Sequence, residues 1–345
     1  MGSLSLAPDT RGQLGHFVET QFKTKGRPPP SSTSFTGQVV MITGSNTGLG
    51  LECAKEMLGL HLSHLIMAVR TVAKGEKAAE SLRRQYPGAK IDVWALDMGN
   101  YDSIRSFARR CEESSPRLDI AILNAGVWPL AWTVNSNTGH EEAVQINYLS
   151  TALLSILLLP ALKRSSRPGH PGRLTVVSSG LAMMSQWPQH TAIPLLPALD
   201  KRPEGNYGFD VSTERYSVTK TMELMLVLKL SQTVSADDVI INSVGPGLIR
   251  GTELHRDLGF LMKGAQKIFN TAGRSVQDAA WLYIDAVTLQ GRETHGSYVK
   301  NYRLYPFHQM MYTDNGKRAT ERLWEETLEE LSFAGVREMT RPLGR

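Results

Sequence analysis

The chain has 345 residues, of which 41% are hydrophobic and 21% charged, with a formal net charge of +5 at pH 7. This composition is typical of a globular protein and argues against a disordered or fibrous chain. Two cysteines are too few for a disulfide framework or a zinc cluster, and we expect no metal site. The basic residues are spread along the chain without a dense block, so we expect no nucleic-acid partner.

The two ends and the most apolar run bear on the compartment. Residues 1–14 lack the apolar core of a secretory signal, and residues 341–345 match no peroxisomal or retention tail. The most apolar run, residues 151–162, spans 12 residues and contains Pro160, which is too short for a bilayer. We therefore expect no transmembrane segment and a reducing, cytoplasmic location.

Strand-like and helix-like runs alternate along most of the chain. A leader over residues 1–35, expected to be partly flexible, ends in a proline- and serine-rich stretch. Strand-like runs lie at 39–43, 64–70, 91–97, 120–124, 173–178, 239–244 and 296–300. Helix-like runs lie at 49–59, 73–86, 102–114, 140–163, 214–233 and 276–289. The alternation predicts an α/β fold of the Rossmann type, a single doubly wound parallel sheet with helices on both faces.

The domain organisation predicted from this pattern is one domain with decorations. Residues 36–305 form a dinucleotide-binding catalytic domain, which contains an insert at 180–213 and is followed by a helical C-terminal extension at 306–345. Ligands of such sheets bind outside the carboxyl ends of the strands. Residues that directly follow the predicted strands are therefore the first candidates for a site.

A glycine-rich loop joins the first predicted strand to the first helix. Residues 43–50 read Thr-Gly-Ser-Asn-Thr-Gly-Leu-Gly, and strand, glycine-rich turn and helix form the context in which such a loop binds phosphate. Gly44 allows a sharp turn, Gly48 a close approach of pyrophosphate, and Gly50 close packing of helix on strand. The phosphates would meet the free N–H groups at the helix start. The cofactor-binding residues predicted here are Gly44, Ser45, Asn46, Gly48, Leu49 and Gly50.

Tyr216 and Lys220 lie four residues apart in a predicted helix, so they share one face and can reach the same pocket. A free tyrosine has a pKa near ~10 and is a poor acid–base catalyst at neutral pH. A nearby ammonium lowers that pKa, so the pair predicts a group that exchanges protons near pH 7. A solvated helix face could carry the same two residues, but the glycine loop upstream favours the catalytic interpretation.

Taken together and in this order, the motifs resemble those of the short-chain dehydrogenase/reductase family over residues 36–300. The resemblance is closer to the retinol-dehydrogenase-like branch, and closest to fungal reductases of polyketide-type secondary metabolism. It implies a catalytic tetrad of Tyr216, Lys220, Ser179 and Asn147, with Ser178 as the alternative serine. It also implies cofactor contacts by Asp97, Asn124, Ala125, Gly126, Tyr216, Lys220, Pro246, Gly247 and Thr252. Thr252 stands one place later than the corresponding threonine of the family.

The resemblance assigns a role to each member of the tetrad. Tyr216 would exchange a proton with the substrate oxygen, and Ser179 would hydrogen-bond that same oxygen. Lys220 would lower the tyrosine pKa and hold the nicotinamide ribose. Asn147 would anchor a water that links Lys220 to solvent.

Arg70 bears on the choice of cofactor. It ends the second predicted strand, where an acidic residue would bind the ribose 2′-hydroxyl of NAD and an arginine suits a 2′-phosphate. Its guanidinium can form two hydrogen bonds to phosphate, and Lys74 is near enough in sequence to assist. A surface arginine at a strand end is the alternative. We predict NADP (NADPH) as the cofactor.

The insert suggests where the substrate binds. Thirty-six residues separate Ser179 from Tyr216, and we interpret this segment as a flap over an apolar, small-molecule substrate. Trp128, Met183 and Trp187 are the predicted pocket residues, with Trp132 near them. The alternative is that they merely pack the insert onto the body.

Three functional hypotheses remain after these observations. The first is an NADP-dependent oxidoreductase that interconverts an alcohol and a ketone or aldehyde on a bulky apolar substrate. The second is a catalytically idle NADP-binding sensor or scaffold, and the third is the same fold catalysing a non-reductive step. The long helices at 140–163 and 214–233 form dimer faces in many relatives, so a homodimer is possible.

Overall fold

One eight-stranded sheet organises the part of the chain that the computed structural model describes, residues 2–12, 15, 18–114, 117–250 and 273–341. Its strands are β1 Val39–Thr43, β2 His64–Val69, β3 Lys90–Ala95, β4 Ile120–Leu123, β5 Gly172–Val177, β6 Val239–Gly245, β7 Ser297–Lys300 and β8 Arg303–Tyr305. The order across the sheet is β3-β2-β1-β4-β5-β6-β7-β8. Neighbours from β3 to β7 pair in parallel, whereas β8 pairs antiparallel with β7. The predicted Rossmann-type fold is confirmed, with one antiparallel edge strand added.

The α-helices between the strands are α1 Gly48–Gly59, α2 Val72–Gln85, α3 Tyr101–Ser114, α4 Ser150–Ser165, α5 Leu195–Leu199, α6 Phe209–Leu230 and α7 Val276–Thr288. Two more, α8 Asp314–Glu330 and α9 Val336–Met339, follow β8. A π-helical turn, Val144–Leu149, leads directly into α4. The predicted helix at 140–163 is therefore a π turn followed by an α-helix.

Side chains alternate across β1 and divide the core into two layers. Val40 and Ile42 pack with Met57 of α1 in one hydrophobic cluster, which also contains residues of α2 and α7. Val39 and Met41 belong to the cluster on the opposite face, with residues of α3, α4 and α6. Because both faces are covered, the central parallel strands β1 and β4 are buried along their whole length and almost entirely apolar.

The segment Val144–Ser165 passes through the second of these layers. By length and composition it is apolar enough to cross a membrane, but 89% of its most apolar window is buried inside the fold. It is longer than the 12-residue run expected from the sequence because the π turn continues into α4. Its apolar surface is covered by the protein's own helices and sheet.

The insert at 180–213 is fastened to the C-terminal extension. Glu326 of α8 accepts hydrogen bonds from the backbone N–H groups of Leu195 and Leu196 at the start of α5, at 2.7–2.8 Å. His140, which precedes the π turn, lies 2.7 Å from Asp200 of the insert and 3.1 Å from Glu330 of α8. Three segments that are distant in sequence thus meet at one histidine.

The described part of the leader lies against β7 and the loop after β6. The Ser3 N–H donates to Ser297 Oγ at 3.1 Å, and the Tyr298 N–H donates to Ser3 Oγ at 2.8 Å. Farther along, the Thr20 carbonyl accepts from the Arg274 guanidinium at 2.6 Å. These contacts bring the leader to the edge of the cavity described next.

Candidate active site

A cavity of about 1190 Å³ opens at the carboxyl edge of the sheet. The residues that follow β1 to β6 and were predicted to meet there all line it, namely Gly44, Arg70, Asp97, Asn124, Ser179 and Pro246. Right-handed crossovers place the loops after parallel strands along one edge, which explains why residues so distant in sequence converge.

The glycine loop has the geometry expected of a phosphate-binding turn. Gly44 and Gly48 have positive φ angles of 65° and 55°, which other residues rarely adopt. A Cβ on Gly50 would lie 2.7 Å from both Gly44 O and Asn124 Nδ2, so the helix packs too closely for a larger residue. The α1 helix begins at Gly48, and its first N–H groups have no partner within the helix.

Not every residue predicted in this loop presents a side chain to the cavity. Asn46, Gly48 and Leu49 line it. The Ser45 hydroxyl is fully buried and donates to Ile42 O at 2.9 Å. Ser45 and Gly50 therefore shape the loop from behind the cavity wall.

The loop after β4 is tied to the glycine loop by hydrogen bonds. Thr43 Oγ1 accepts from the N–H groups of Asn124 and Ala125 at 2.9 and 2.8 Å, and Asn124 Nδ2 donates to Thr43 O. The Tyr283 hydroxyl of α7 donates to Asn124 Oδ1 at 2.9 Å. With these bonds in place, Asn124, Ala125 and Gly126 form a fixed part of the cavity wall.

Three cations stand together at the end of the cavity next to β2. Arg70 and Lys74 both line it, as does Lys77, which the sequence analysis did not single out. All three are exposed, and within the described residues none of them forms an ion pair. The sequence signal for Lys77 was its i+3 spacing from Lys74, which places both on one helix face. Such a cluster suits a phosphate group.

Tyr216 and Lys220 meet at the opposite end of the cavity, on one face of α6. Tyr216 is 6% exposed and Lys220 3% exposed. The Trp128 ring stacks on the Tyr216 ring with centroids 4.9 Å apart and an interplanar angle of 11°. Lys220 Nζ lies 5.6 Å from the centroid of the Tyr216 ring and donates to Val177 O at 3.0 Å. The predicted pairing of phenol and ammonium in one pocket is therefore present in the structure.

The expected fall in the pKa of Tyr216 is not observed. Burial raises this pKa and the Glu223 carboxylate adds to the rise, while Lys220 and a hydrogen bond with Ser179 oppose it. For Lys220, burial alone would lower the pKa, but the negative charges of Glu223 and of ionised Tyr216 together outweigh burial and raise it. The sequence analysis considered the ammonium without the carboxylate that neutralises it.

The two neighbouring serines have different surroundings. The Ser178 hydroxyl is buried and donates to the Lys220 carbonyl at 2.9 Å. Both serines line the cavity, but Ser179 is only half-buried, and its oxygen accepts from the Leu181 N–H at 3.2 Å, which leaves its O–H to donate. This geometry favours Ser179 as the serine that meets a substrate oxygen.

Asn147 lies within the π turn and does not line the cavity. Its Nδ2 donates to Val127 O at 2.9 Å and to Thr219 Oγ1 at 3.0 Å, and its Oδ1 accepts from the Val127 N–H at 2.8 Å. The side chain thus joins the loop after β4 to α6 just beside Lys220. The predicted water anchored by Asn147 stays a prediction.

Of the three predicted pocket residues, Trp128 lines the cavity, whereas Met183 and Trp187 of the insert do not. Trp187 is fully buried and Met183 is 9% exposed, and both belong to the hydrophobic core. Residues Gly180–Met184 form a short 3₁₀ helix, which turns Met183 inward and places Met184 on the cavity wall. The ring of Trp132 contacts Tyr207 rather than the cavity, and Thr252 lies outside the described residues.

Several cavity residues were missed at the sequence level. Thr20 and Gln21 of the leader, Phe209 at the start of α6, Tyr283 of α7 and Lys300 at the end of β7 all line it. Lys300 is the only one with a sequence signal, since it ends a predicted strand as the recognised site residues do. The leader residues reach the cavity through contacts with residues more than 200 positions later in the sequence. No local sequence pattern reveals such contacts.

Comparison with known proteins agrees with this geometry. A family model described as short chain dehydrogenase matches residues 38–192. The short chain dehydrogenase/reductase mfmJ of Annulohypoxylon moriforme is 47% identical, over 93% of this chain and 92% of that protein. The short chain dehydrogenase virL of Hypocrea virens is 40% identical, over 95% of each.

Solved structures show the same fold at low sequence identity. A short chain dehydrogenase from Salmonella enterica has a TM-score of 0.58 and 19% identity, and the alignment covers 79% of this chain and 99% of that one. An NADP complex of RhlG from Pseudomonas aeruginosa has a TM-score of 0.57 and 20% identity, with coverage of 78% and 96%.

Proposed function

The chain belongs to the short-chain dehydrogenase family, and from that premise we propose that it is an NADP-dependent oxidoreductase. It would interconvert an alcohol and a ketone or aldehyde on a bulky apolar substrate. The observation that carries the proposal is the position of Tyr216 and Lys220. Both are buried on one helix face, and both line the same cavity as the glycine loop and the cation cluster.

The residues present fit NADP. The glycine loop and the start of α1 would hold the pyrophosphate, and Arg70, Lys74 and Lys77 would hold the 2′-phosphate. Asp97 and Asn124 would line the adenosine side, and Pro246 and Gly247 the nicotinamide side. When bound, NADP supplies or accepts the hydride, which is the cofactor's own chemistry.

The protein's contribution is to orient the substrate oxygen and move its proton. In reduction, the Tyr216 hydroxyl donates a proton to the oxygen of the carbonyl, and in oxidation its phenolate accepts the alcohol proton. Ser179 donates a hydrogen bond to the same oxygen and fixes its position. Lys220 provides a positive charge next to the phenol, which favours the phenolate.

The walls of the cavity support an apolar substrate. Trp128 and Phe209 stack with centroids 5.8 Å apart, and Met184 and Leu181 of the insert lie on the same lining. Given the resemblance to fungal reductases, a polyketide-type secondary metabolite is the substrate class we propose, with the cytoplasm as its location.

The test is a fluorescence titration of the protein with NADPH and with NADH, followed by a screen of apolar ketones and aldehydes with NADPH. We expect NADPH to bind at least about tenfold more tightly, since hydrogen bonds to charged groups contribute about 1.5–3 kcal/mol each. We also expect NADPH oxidation with at least one carbonyl of the screen. Cofactor binding without hydride transfer to any carbonyl or alcohol would favour the idle sensor instead.

A further inference from the structure

Directly beneath the tyrosine–lysine pair, the same helix carries a buried carboxylate. Glu223 follows Lys220 by three residues, and its Oε1 lies 2.7 Å from Lys220 Nζ. Glu223 is 1% exposed and does not line the cavity that Tyr216 and Lys220 line. Because positions 216, 220 and 223 share one face of α6, the three side chains form a column with the phenol at the cavity and the carboxylate deepest.

The ammonium in the middle of this column is held on its lower side. Lys220 Nζ donates to Val177 O at 3.0 Å and to Glu223 Oε1. An ammonium has three N–H groups, so one is left to act toward the cavity. The position of that N–H depends on the two bonds beneath it.

A need for stability does not explain this ion pair. Desolvating a lysine and a glutamate costs about as much as their attraction returns, so buried pairs are weak stabilisers. Lys229, also on α6, forms a second pair at the same 2.7 Å with Glu321 of α8, whose side chain is 64% exposed. The buried pair of Lys220 and Glu223 is therefore better explained by a role in the site next to it.

We propose that Glu223 is a positioning residue that holds the Lys220 ammonium beneath the cavity and balances its charge, and so sets the pH at which Tyr216 exchanges its proton. The inference rests on the proposed function, since it assigns a role within that site.

The charges around Glu223 support this role. Burial raises the pKa of Glu223 to about 7, and Lys220 opposes the rise. Its second oxygen, Oε2, is buried without a hydrogen-bond partner among the described residues, so it can take up a proton. Tyr283 of α7 and Tyr298 of β7 face the same region, and burial raises both of their pKa values, so they stay neutral.

The ionisation of Tyr216 can be measured without substrate or cofactor. The near-ultraviolet absorbance of tyrosinate is followed against pH in the wild type and in Tyr216→Phe, and the difference is the Tyr216 curve. The same subtraction is made between Glu223→Gln and the double variant. Glutamine keeps the size of the side chain but removes the negative charge, so we expect Tyr216 to ionise about one pH unit lower or more.

Glu321→Gln is the matched control, because it breaks the exposed pair that Lys229 of α6 makes with α8 and should leave the Tyr216 curve unchanged. An unchanged curve in folded Glu223→Gln overturns the inference. If that variant does not fold, Glu223→Asp decides: its shorter carboxylate retreats from Lys220, so we expect a smaller shift in the same direction and weaker NADPH binding. Wild-type behaviour in both measurements would then overturn the inference. Failure of the proposed function would appear separately, in the hydride-transfer screen.

Discussion

The two ends of the cavity carry positive charge in opposite ways. At the end next to β2, Arg70, Lys74 and Lys77 are exposed and have no ion-pair partner among the described residues. At the other end, Lys220 is buried and paired with Glu223. Exposed cations attract and hold an anion but are screened by salt. A buried ammonium acts over a short range on the group beside it, and its effect depends on every neighbouring charge. The exposed cations therefore suit the binding of an anionic cofactor, whereas the buried lysine suits the proposed proton transfer at Tyr216.

The largest expected effect is a fall in kcat at the buried end of the cavity, where one substitution should slow the reaction without weakening cofactor binding. Tyr216→Phe removes the hydroxyl that exchanges the proton, so we expect kcat to fall by about 10²–10⁴-fold while NADPH affinity is kept. Stopped-flow or steady-state NADPH oxidation measures kcat, and fluorescence titration measures the affinity for NADPH. Tyr86→Phe, at the end of α2 and away from the cavity, is the matched control. A Tyr216→Phe enzyme with wild-type kcat would remove this hydroxyl from the mechanism.

The next effect concerns the exposed end. Arg70→Asp should weaken NADPH binding by about 10–150-fold, as expected from the loss of hydrogen bonds worth about 1.5–3 kcal/mol, and should leave NADH binding nearly unchanged. Both affinities are measured by fluorescence titration. Arg84→Asp makes the same charge change at the far end of α2, where the arginine pairs with Glu80, and should change neither affinity. Equal losses for NADPH and NADH would mean that Arg70 does not recognise a 2′-phosphate.

His140 is intermediate between the exposed cations and the buried Lys220. Its side chain is 12% exposed, and its ring nitrogens face two carboxylates. Burial would lower its pKa, but hydrogen bonds with Asp200 and Glu330 outweigh burial and raise it to about 9. Because the folded-state pKa is above the unfolded value of about 6.5, the stabilisation is complete below pH 6.5 and is lost as pH rises through 9. His140→Gln should therefore cost about 1–3 kcal/mol at pH 6 and less above pH 9.

Urea unfolding at pH 6 and at pH 10 measures this difference. The exposed His170→Gln serves as the control and should not change the free energy of unfolding at either pH. A cost for His140→Gln that is equal at both values would show that the ring packs there as a neutral group.

The smallest effect is that of salt on the wild-type protein. Between about 0.01 and 1 M salt, the Debye length falls from about 30 to 3 Å, so the preference for NADPH over NADH should narrow several-fold. The ionisation curve of Tyr216 should stay in place, because its charged neighbours are buried. Parallel titrations at the two salt concentrations test both statements. If the Tyr216 ionisation curve moves with salt while the preference for NADPH over NADH stays fixed, the contrast between the two ends is the reverse of the one described.

Much of the fold follows from local patterns in the sequence. The apolar runs that end in glycine or a polar residue predicted β1 to β7 to within one or two residues, and strand ends then located the cavity. The edge strand β8 was missed because its connection is a tight turn through Asn301 and Tyr302, both with positive φ. Asparagine adopts that conformation readily, but tyrosine rarely does, so the residues of this turn are not a pair that predicts a hairpin.

Within the site, the sequence predicts which residues lie near the cavity better than it predicts which way a single side chain points or which charge lies beside it. Met183 and Met184 are identical neighbours, and only the 3₁₀ turn decides that the second faces the cavity. Glu223 stands in an otherwise apolar stretch of α6, and a lone carboxylate in such a run is a signal that could have been used. Burial is the main reason why the pKa of Tyr216 is raised rather than lowered, and the Glu223 carboxylate adds to the rise.

The bonds between Ser3 and β7 have a consequence for how the chain is made. Ser3 and Tyr298 are 295 residues apart, so the segment around Ser3 cannot form its bonds to β7 until those residues have also been synthesised. At a synthesis rate of about 5–20 residues per second, the leader waits for roughly 15–60 seconds. The leader also forms part of the cavity wall through Thr20 and Gln21. Part of the cavity wall is therefore supplied by a segment that is synthesised long before Arg274, the residue that holds it there.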